Sequence, residues 1–267
     1  MTAVSAPPTT EPAATSTTEP VVPDVVTIAV SSSELDVDAE LSVDAETGGD
    51  PFGTFATCSA YRSVVGAYIV GVSDPTSEVS WVSVVSAGRI DGPGIYDADV
   101  RVETSSGPDV SATGTLTVGP GLASGSYVAF SPEGVRIEGT FDCAGVDGEP
   151  ATMAASDDGA IEVFALLERG GSERVVSAAT LGADPSDCPA GEGSQSLVVR
   201  LDGDDTLGGI TTFELDQTTG GASMRLRVGG ATYEFDDVAV TMDENARAGT
   251  FDAALPDLTV GGAFACT

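Results

Sequence analysis

The 267-residue chain contains no histidine and no lysine, its ten basic residues are all arginine, and aromatic residues make up only 6 % of it, with a single tryptophan. Without histidine it lacks the commonest general base and transition-metal ligand, which excludes Ser-His-Asp and Cys-His catalysis and a His-ligated zinc centre. Ten arginines against 42 Asp and Glu give a formal net charge of −32. No basic stripe is present to release counterions from a phosphate backbone, so nucleic acid is excluded as a partner, and an anionic lipid surface would repel the chain. No apolar run approaches the roughly 18 residues needed for a membrane-spanning helix. What is present is a 41 % apolar composition and a mean hydropathy of +0.13. That is enough apolar surface to offset the ordering entropy of most of the chain.

The four cysteines, Cys58, Cys143, Cys188 and Cys266, are widely spaced and form no CxxC pair. An even number in such a pattern points to two structural disulfides, and hence to an oxidising compartment, over a metal cluster or a thiol nucleophile. Residues 2–23, TAVSAPPTTEPAATSTTEPVVP, are almost entirely Thr, Ser, Ala, Pro and Glu, the composition of a disordered, extended tether over residues 1–23. It has neither the basic nor the apolar region of a signal peptide. Because such tethers commonly follow an export signal, the expectation is an exported protein, extracellular or at the cell surface. A signal peptide, with or without a lipid anchor, is then expected upstream of Met1.

Beyond the tether the apolar pattern has a period of two. In ELDVDAELSVDAE (34–46), Leu35, Val37, Ala39, Leu41, Val43 and Ala45 alternate with Glu34, Asp36, Asp38, Glu40, Ser42, Asp44 and Glu46. One strand, or two separated by a kink, places every carboxylate on the outer face. In VRIEGTFDC, Val135, Ile137, Phe141 and Cys143 share a face in the same way. Turn signals such as DPTS (74–77), GPG (119–121), SPEG (131–134) and TTGG (218–221) recur every 8–12 residues, the spacing of a sandwich or barrel.

An internal repeat organises the chain. GSYVAFSPEGVRIEGTFDC (125–143) aligns with GTFDAALPDLTVGGAFAC (249–266) in glycine, aromatic, proline and terminal cysteine. In each copy a second cysteine lies about 80 residues earlier. The reading is an all-β protein with two tandem antiparallel β-sandwich domains, Ig-like or related, at about 24–145 and 158–267, joined by a linker at 146–157. Cys58 is expected to pair with Cys143, and Cys188 with Cys266. Closing a loop of that length stabilises a fold by on the order of 4 kcal/mol in the chain-entropy model.

The Thr/Pro-rich tether, the strand GTFATC (53–58) ending in cysteine, the Gly-punctuated meander and the last strand ending in cysteine resemble the mycobacterial lipoprotein antigen family. The resemblance covers residues 24–145 and, more faintly, 158–267. It implies a tethered, lipid-anchored β-sandwich of the cell envelope with a surface role and no catalysis. This chain departs from the family pattern in carrying two copies and in having no lipobox cysteine near residue 1.

Three segments could carry chemistry. LDGDDTLGG (201–209) resembles one calcium-binding nonapeptide, with Asp202, Asp204 and Asp205 as ligands. Such sites share each ion between stacked copies, and only one copy exists, so the alternative is a strand-ending turn. The carboxylates of 34–46 stand about 7 Å apart along a strand, too far to share one Ca²⁺ unaided; a solvated, edge-protecting face is the plainer reading. Two acids suffice for a glycoside hydrolase, but 42 acids produce chance pairs, and Trp81 in EVSWVSVVS reads as core of the first domain before it reads as a sugar platform. The expectation is therefore a non-enzymatic envelope or extracellular protein for adhesion, scaffolding or capture of a protein, glycan or small ligand, with no cofactor apart from a candidate Ca²⁺ ion. The alternatives are a small-molecule or cation binder with a cavity inside one sandwich, for which Ala129, Gly139, Gly262 and Ala265 are suitably small, and a secreted carboxylate hydrolase.

Overall fold

A computed structural model describes residues 25–44, 50–60, 68–88, 90, 92–107, 109–144, 161–180, 197–202, 210–243 and 248–266, with side chains left aside at 59–60, 144, 177–180 and 197–202. The tether, the linker, Cys188, Asp204 and Asp205 lie outside the described residues. Among those described, every regular element is a β-strand. The first nine are β1 (Val25–Ser32), β2 (Val37–Asp44), β3 (Phe55–Ala60), β4 (Tyr68–Ser73), β5 (Val79–Ser86), β6 (Gly94–Thr104), β7 (Val110–Val118), β8 (Ser124–Phe130) and β9 (Arg136–Ala144). They form one antiparallel sheet in the order β2-β1-β9-β8-β7-β6-β5-β4-β3. From β3 to β9 it is a plain meander, and the β1–β2 hairpin adds beside β9. The sheet rolls over so that β1 and β2 pack against β3, β4 and β5. A core of Val26, Ile28, Val70, Val84, Leu116, Ile137 and their neighbours fills the interior. Cys58 on β3 and Cys143 on β9 are joined by a disulfide across a separation of 85 residues, tying the β3 edge of the rolled sheet to the strand beside the β1–β2 hairpin.

The alternating residues of the sequence sit where their polarity requires. On β2, Val37, Leu41 and Val43 are buried while Asp38, Glu40 and Asp44 are exposed, and because β2 is a sheet edge the carboxylates guard an open ladder. Residues 34–36, which the alternation placed on the strand, belong instead to the four-residue turn 33–36 that joins β1 to β2, with Asp36 at φ 54°.

The second nine strands are β10 (Ile161–Arg169), β11 (Ser172–Thr180), β12 (Leu197–Asp202), β13 (Ile210–Thr218), β14 (Gly221–Val228), β15 (Ala231–Phe235), β16 (Val238–Met242), β17 (Ala248–Leu255) and β18 (Leu258–Cys266). They form two sheets, β11-β10-β18-β17-β16 and β12-β13-β14-β15, which pack against each other. Counted from its own first strand, this order repeats that of the first nine. The one difference is that the sixth and seventh strands, β15 and β16, are not hydrogen-bonded to each other.

The correspondence extends to single residues. Tyr127 on β8 lies opposite Gly139 on β9, and Phe251 on β17 lies opposite Gly262 on β18. In both places a Cβ on the glycine would run into the aromatic side chain and a backbone carbonyl of the next strand, Ala29 or Phe164. These glycines are small because a ring crosses over them, so the space they leave is filled and does not form a hollow core. Cys266, on the inward face with Leu258, Val260 and Phe264, is disulfide-bonded.

Candidate functional site

On β4 and β5 the alternation of burial fails: every residue of Tyr68–Ser73 is buried, as are six of the eight in Val79–Ser86. A strand buried on both faces reads as a near-continuous apolar run, and here the second face is covered by the second half of the chain. Strand register sets out the covered face as three rows. The first is Phe55–Ser73–Trp81–Glu103. The second is Thr57–Gly71–Ser83–Arg101–Ser111, and the third Ile69–Val85–Asp99–Thr113–Phe130.

The first row is the junction. Phe55 and Trp81 belong to the apolar cluster of the second half, with Ile161, Leu167, Phe213 and Phe235. Trp81 is thus a core residue, as its apolar surroundings in the sequence suggest, but of the second-half core and not the first. Gly71 beside it makes room for its ring. Over the ring lies Arg174, its guanidinium 4.6 Å from the Trp81 centroid and 5.3 Å from that of Phe52. Arg174 Nη1 donates to Glu103 Oε2 at 2.8 Å, with the side chains only 5 % and 4 % exposed, and Nε donates to the Pro51 carbonyl at 3.2 Å. Burial pushes the Arg174 pKa down and the Glu103 carboxylate opposes it.

Beside this pair, Arg169 Nη1 donates to Asp50 Oδ2 at 2.7 Å, and the Tyr233 hydroxyl donates to Asp50 Oδ1 at 3.2 Å. Burial works against the Asp50 carboxylate, but the Phe52 N–H and Arg169 outweigh it and hold its pKa below the ordinary value. Burial and the Asp50 charge push Tyr233 up to about 12. The two arginines are aimed by the β10–β11 hairpin. Its Gly170-Gly171 turn takes positive φ at both residues (62° and 91°), the two-residue turn whose twist suits a hairpin and which only glycine adopts freely.

The second and third rows floor a cleft of about 470 Å³, within the range of small-molecule sites, lined by residues that include Ser83, Val85, Asp99, Arg101, Ser111, Thr113, Phe130, Pro132, Glu173 and Val175. The β10–β11 hairpin forms one wall through Glu173 and Val175, and the β8–β9 turn forms the other. From β5 to β8 the floor spans about 14 Å at roughly 4.8 Å per strand. Arg101 is held by Glu173, by Glu103 at 3.5 Å, by Asp109 at 3.9 Å and by the Gly171 carbonyl at 3.3 Å. Asp99 is exposed, and its carboxylate has no hydrogen bond or ion pair among the described residues. Phe130, at 51 % exposure, is one of two large apolar side chains left exposed among them.

The residues singled out from the sequence fall elsewhere. Asp202 ends β12, and Asp204 and Asp205 lie outside the described residues, as does the Cys188 half of the second expected disulfide. Among the described residues no three cysteines or carboxylates converge as metal ligands. The carboxylates Glu34, Asp36, Asp38, Glu40 and Asp44 face solvent; Glu46 lies outside the described residues. Apart from Trp81, none of the junction and cleft residues stood out in the sequence. The available signal was the loss of alternation in YIVGVS and VSWVSVVS, which marks two-sided burial without naming what covers the second face. Comparison with protein-family models, curated proteins and solved structures found no match.

Proposed function

We propose that this is a non-enzymatic protein of an oxidising, extracytoplasmic compartment, which carries two nine-strand β modules behind its tether and captures a small ligand in the cleft at their junction. The cleft carries the reading: it is of ligand size, it is built from both halves of the chain, and its lining combines with apolar side chains a few hydroxyls and one carboxylate that is unpaired among the described residues. That is the usual make-up of a small-molecule site. The Cys58–Cys143 disulfide supports the compartment, and so does the resemblance of residues 24–145 to envelope lipoprotein antigens.

The test is a thermal-shift panel of organic cations, sugars and amphiphiles against the full chain and a Thr113→Tyr variant. Thr113 is an exposed position in the middle of the cleft floor, where tyrosine suits a strand and fills the space. At least one compound should raise the melting temperature of the parent, leave that of the variant unmoved, and be recovered chemically unchanged. A panel that acts equally on both proteins rejects the cleft as the binding site, and conversion of the compound rejects the non-enzymatic reading.

A further inference from the structure

Resting on that reading, we infer that the ligand is an organic cation: an ammonium group that pairs with Asp99, carrying a flat apolar body that lies across Thr113 toward Phe130. Around the cleft, Arg101 and Arg174 are met by Glu103, Asp109 and Glu173, Arg136 opposite Phe130 is met by Glu138, and Asp99 stands apart, a local excess of two negative charges within a chain whose net charge is −32. Such a field concentrates cations and repels anions at the mouth of a cleft. The one cationic group of the lining, Arg101, is taken up by Glu173, Glu103, Asp109 and the Gly171 carbonyl, which leaves hydroxyls such as those of Ser83, Ser111 and Thr113 as the small neutral polar groups of the lining. The charged group of the lining left without an ion pair among the described residues is the Asp99 carboxylate.

The geometry sets the size of the body. Asp99 and Phe130 both flank Thr113 in one cross-strand row, so they stand two strands, or about 10 Å, apart. An arylalkylamine spans that distance with its charge at one end and its ring against Phe130, and Val85 and Val175 supply apolar surface on the hairpin side.

The probe is 2-phenylethylamine, protonated at neutral pH, set against its uncharged isostere 2-phenylethanol and its anionic counterpart phenylacetate. Each is titrated into the full-length, disulfide-intact protein and followed by amide chemical shifts. The amine should bind at least tenfold more tightly than the alcohol, phenylacetate should not bind, and the shifts should map to β5–β8. Asp99→Asn, an exposed change whose fold is checked by an unchanged melting temperature, should reduce the amine to the affinity of the alcohol. Phe130→Ala should weaken amine and alcohol alike. Binding of the alcohol as tightly as the amine in the parent protein overturns the cation assignment while leaving the cleft in place as a binding site. Cleft shifts produced by maltose and not by the amine overturn it in favour of a sugar. If none of the probes moves a resonance in β5–β8, the assignment falls; if the wider compound panel also fails to separate the parent from Thr113→Tyr, the cleft reading falls with it.

Discussion

The Glu103–Arg174 pair is a charge pair taken almost wholly out of water, so its energetics differ from those of the exposed Arg136–Glu138 and Arg225–Glu234 pairs. Exposed pairs contribute little. A buried pair repays its desolvation only while both partners are present, and removing one leaves an uncompensated charge at a cost of about 3–5 kcal/mol. Glu103→Leu should destabilise by about that amount in urea unfolding, and Arg174→Met by less, because Arg101 stays within 3.5 Å of Glu103. The double variant should lose clearly less than the sum of the two, because neither of the paired charges is then buried without the other. Additive losses would show that the two side chains act separately.

At the level of strands, the paired glycines make a sharper comparison. Gly261 and Gly262 are neighbours on β18, but a Cβ at Gly261 meets only the tip of the Asp252 side chain, whereas at Gly262 it meets the Phe164 carbonyl and the Phe251 ring. Gly262→Ala should therefore cost about 1–3 kcal/mol through overpacking, with Gly139→Ala in the first half similar, while Gly261→Ala should be close to neutral. Thermal unfolding of the three variants decides it, and an equal cost at 261 and 262 would remove the crossing-ring explanation. Strands of this kind were legible in the sequence because side-chain alternation is local. Leu41 and Asp38, or Phe141 and Cys143, declare their faces within a few residues, and the repeat of 125–143 at 249–266 coincides with β8–β9 and β17–β18. The junction was not legible for the opposite reason. Arg174 meets Glu103 across 71 residues and Tyr233 meets Asp50 across 183, and nothing within a strand reveals which distant strand will cover it. Asp99 and Phe130 read as ordinary outward residues until Glu173 and Val175 close over the same face.

For the whole molecule, the question is whether the two halves behave as one body. Each has its own apolar cluster, but Phe55 and Trp81 of the first half are buried in the second, and the charge network of Asp50, Glu103, Arg169 and Arg174 ties them together. Separating the halves would expose an apolar row and a pair of desolvated charges, which couples their unfolding. The full chain should accordingly melt in a single transition, with far-ultraviolet dichroism and tryptophan emission giving the same midpoint. Two resolved transitions would mean the halves unfold independently. The emission trace has a particular value here. Trp81 is the chain's single tryptophan, it is fully buried, and its indole Nε1 has no hydrogen-bond partner among the described residues. The protein thus carries its own optical gauge of the seam between its halves: any loosening that lets water reach that nitrogen moves the emission to longer wavelength, and no label has to be added to see it.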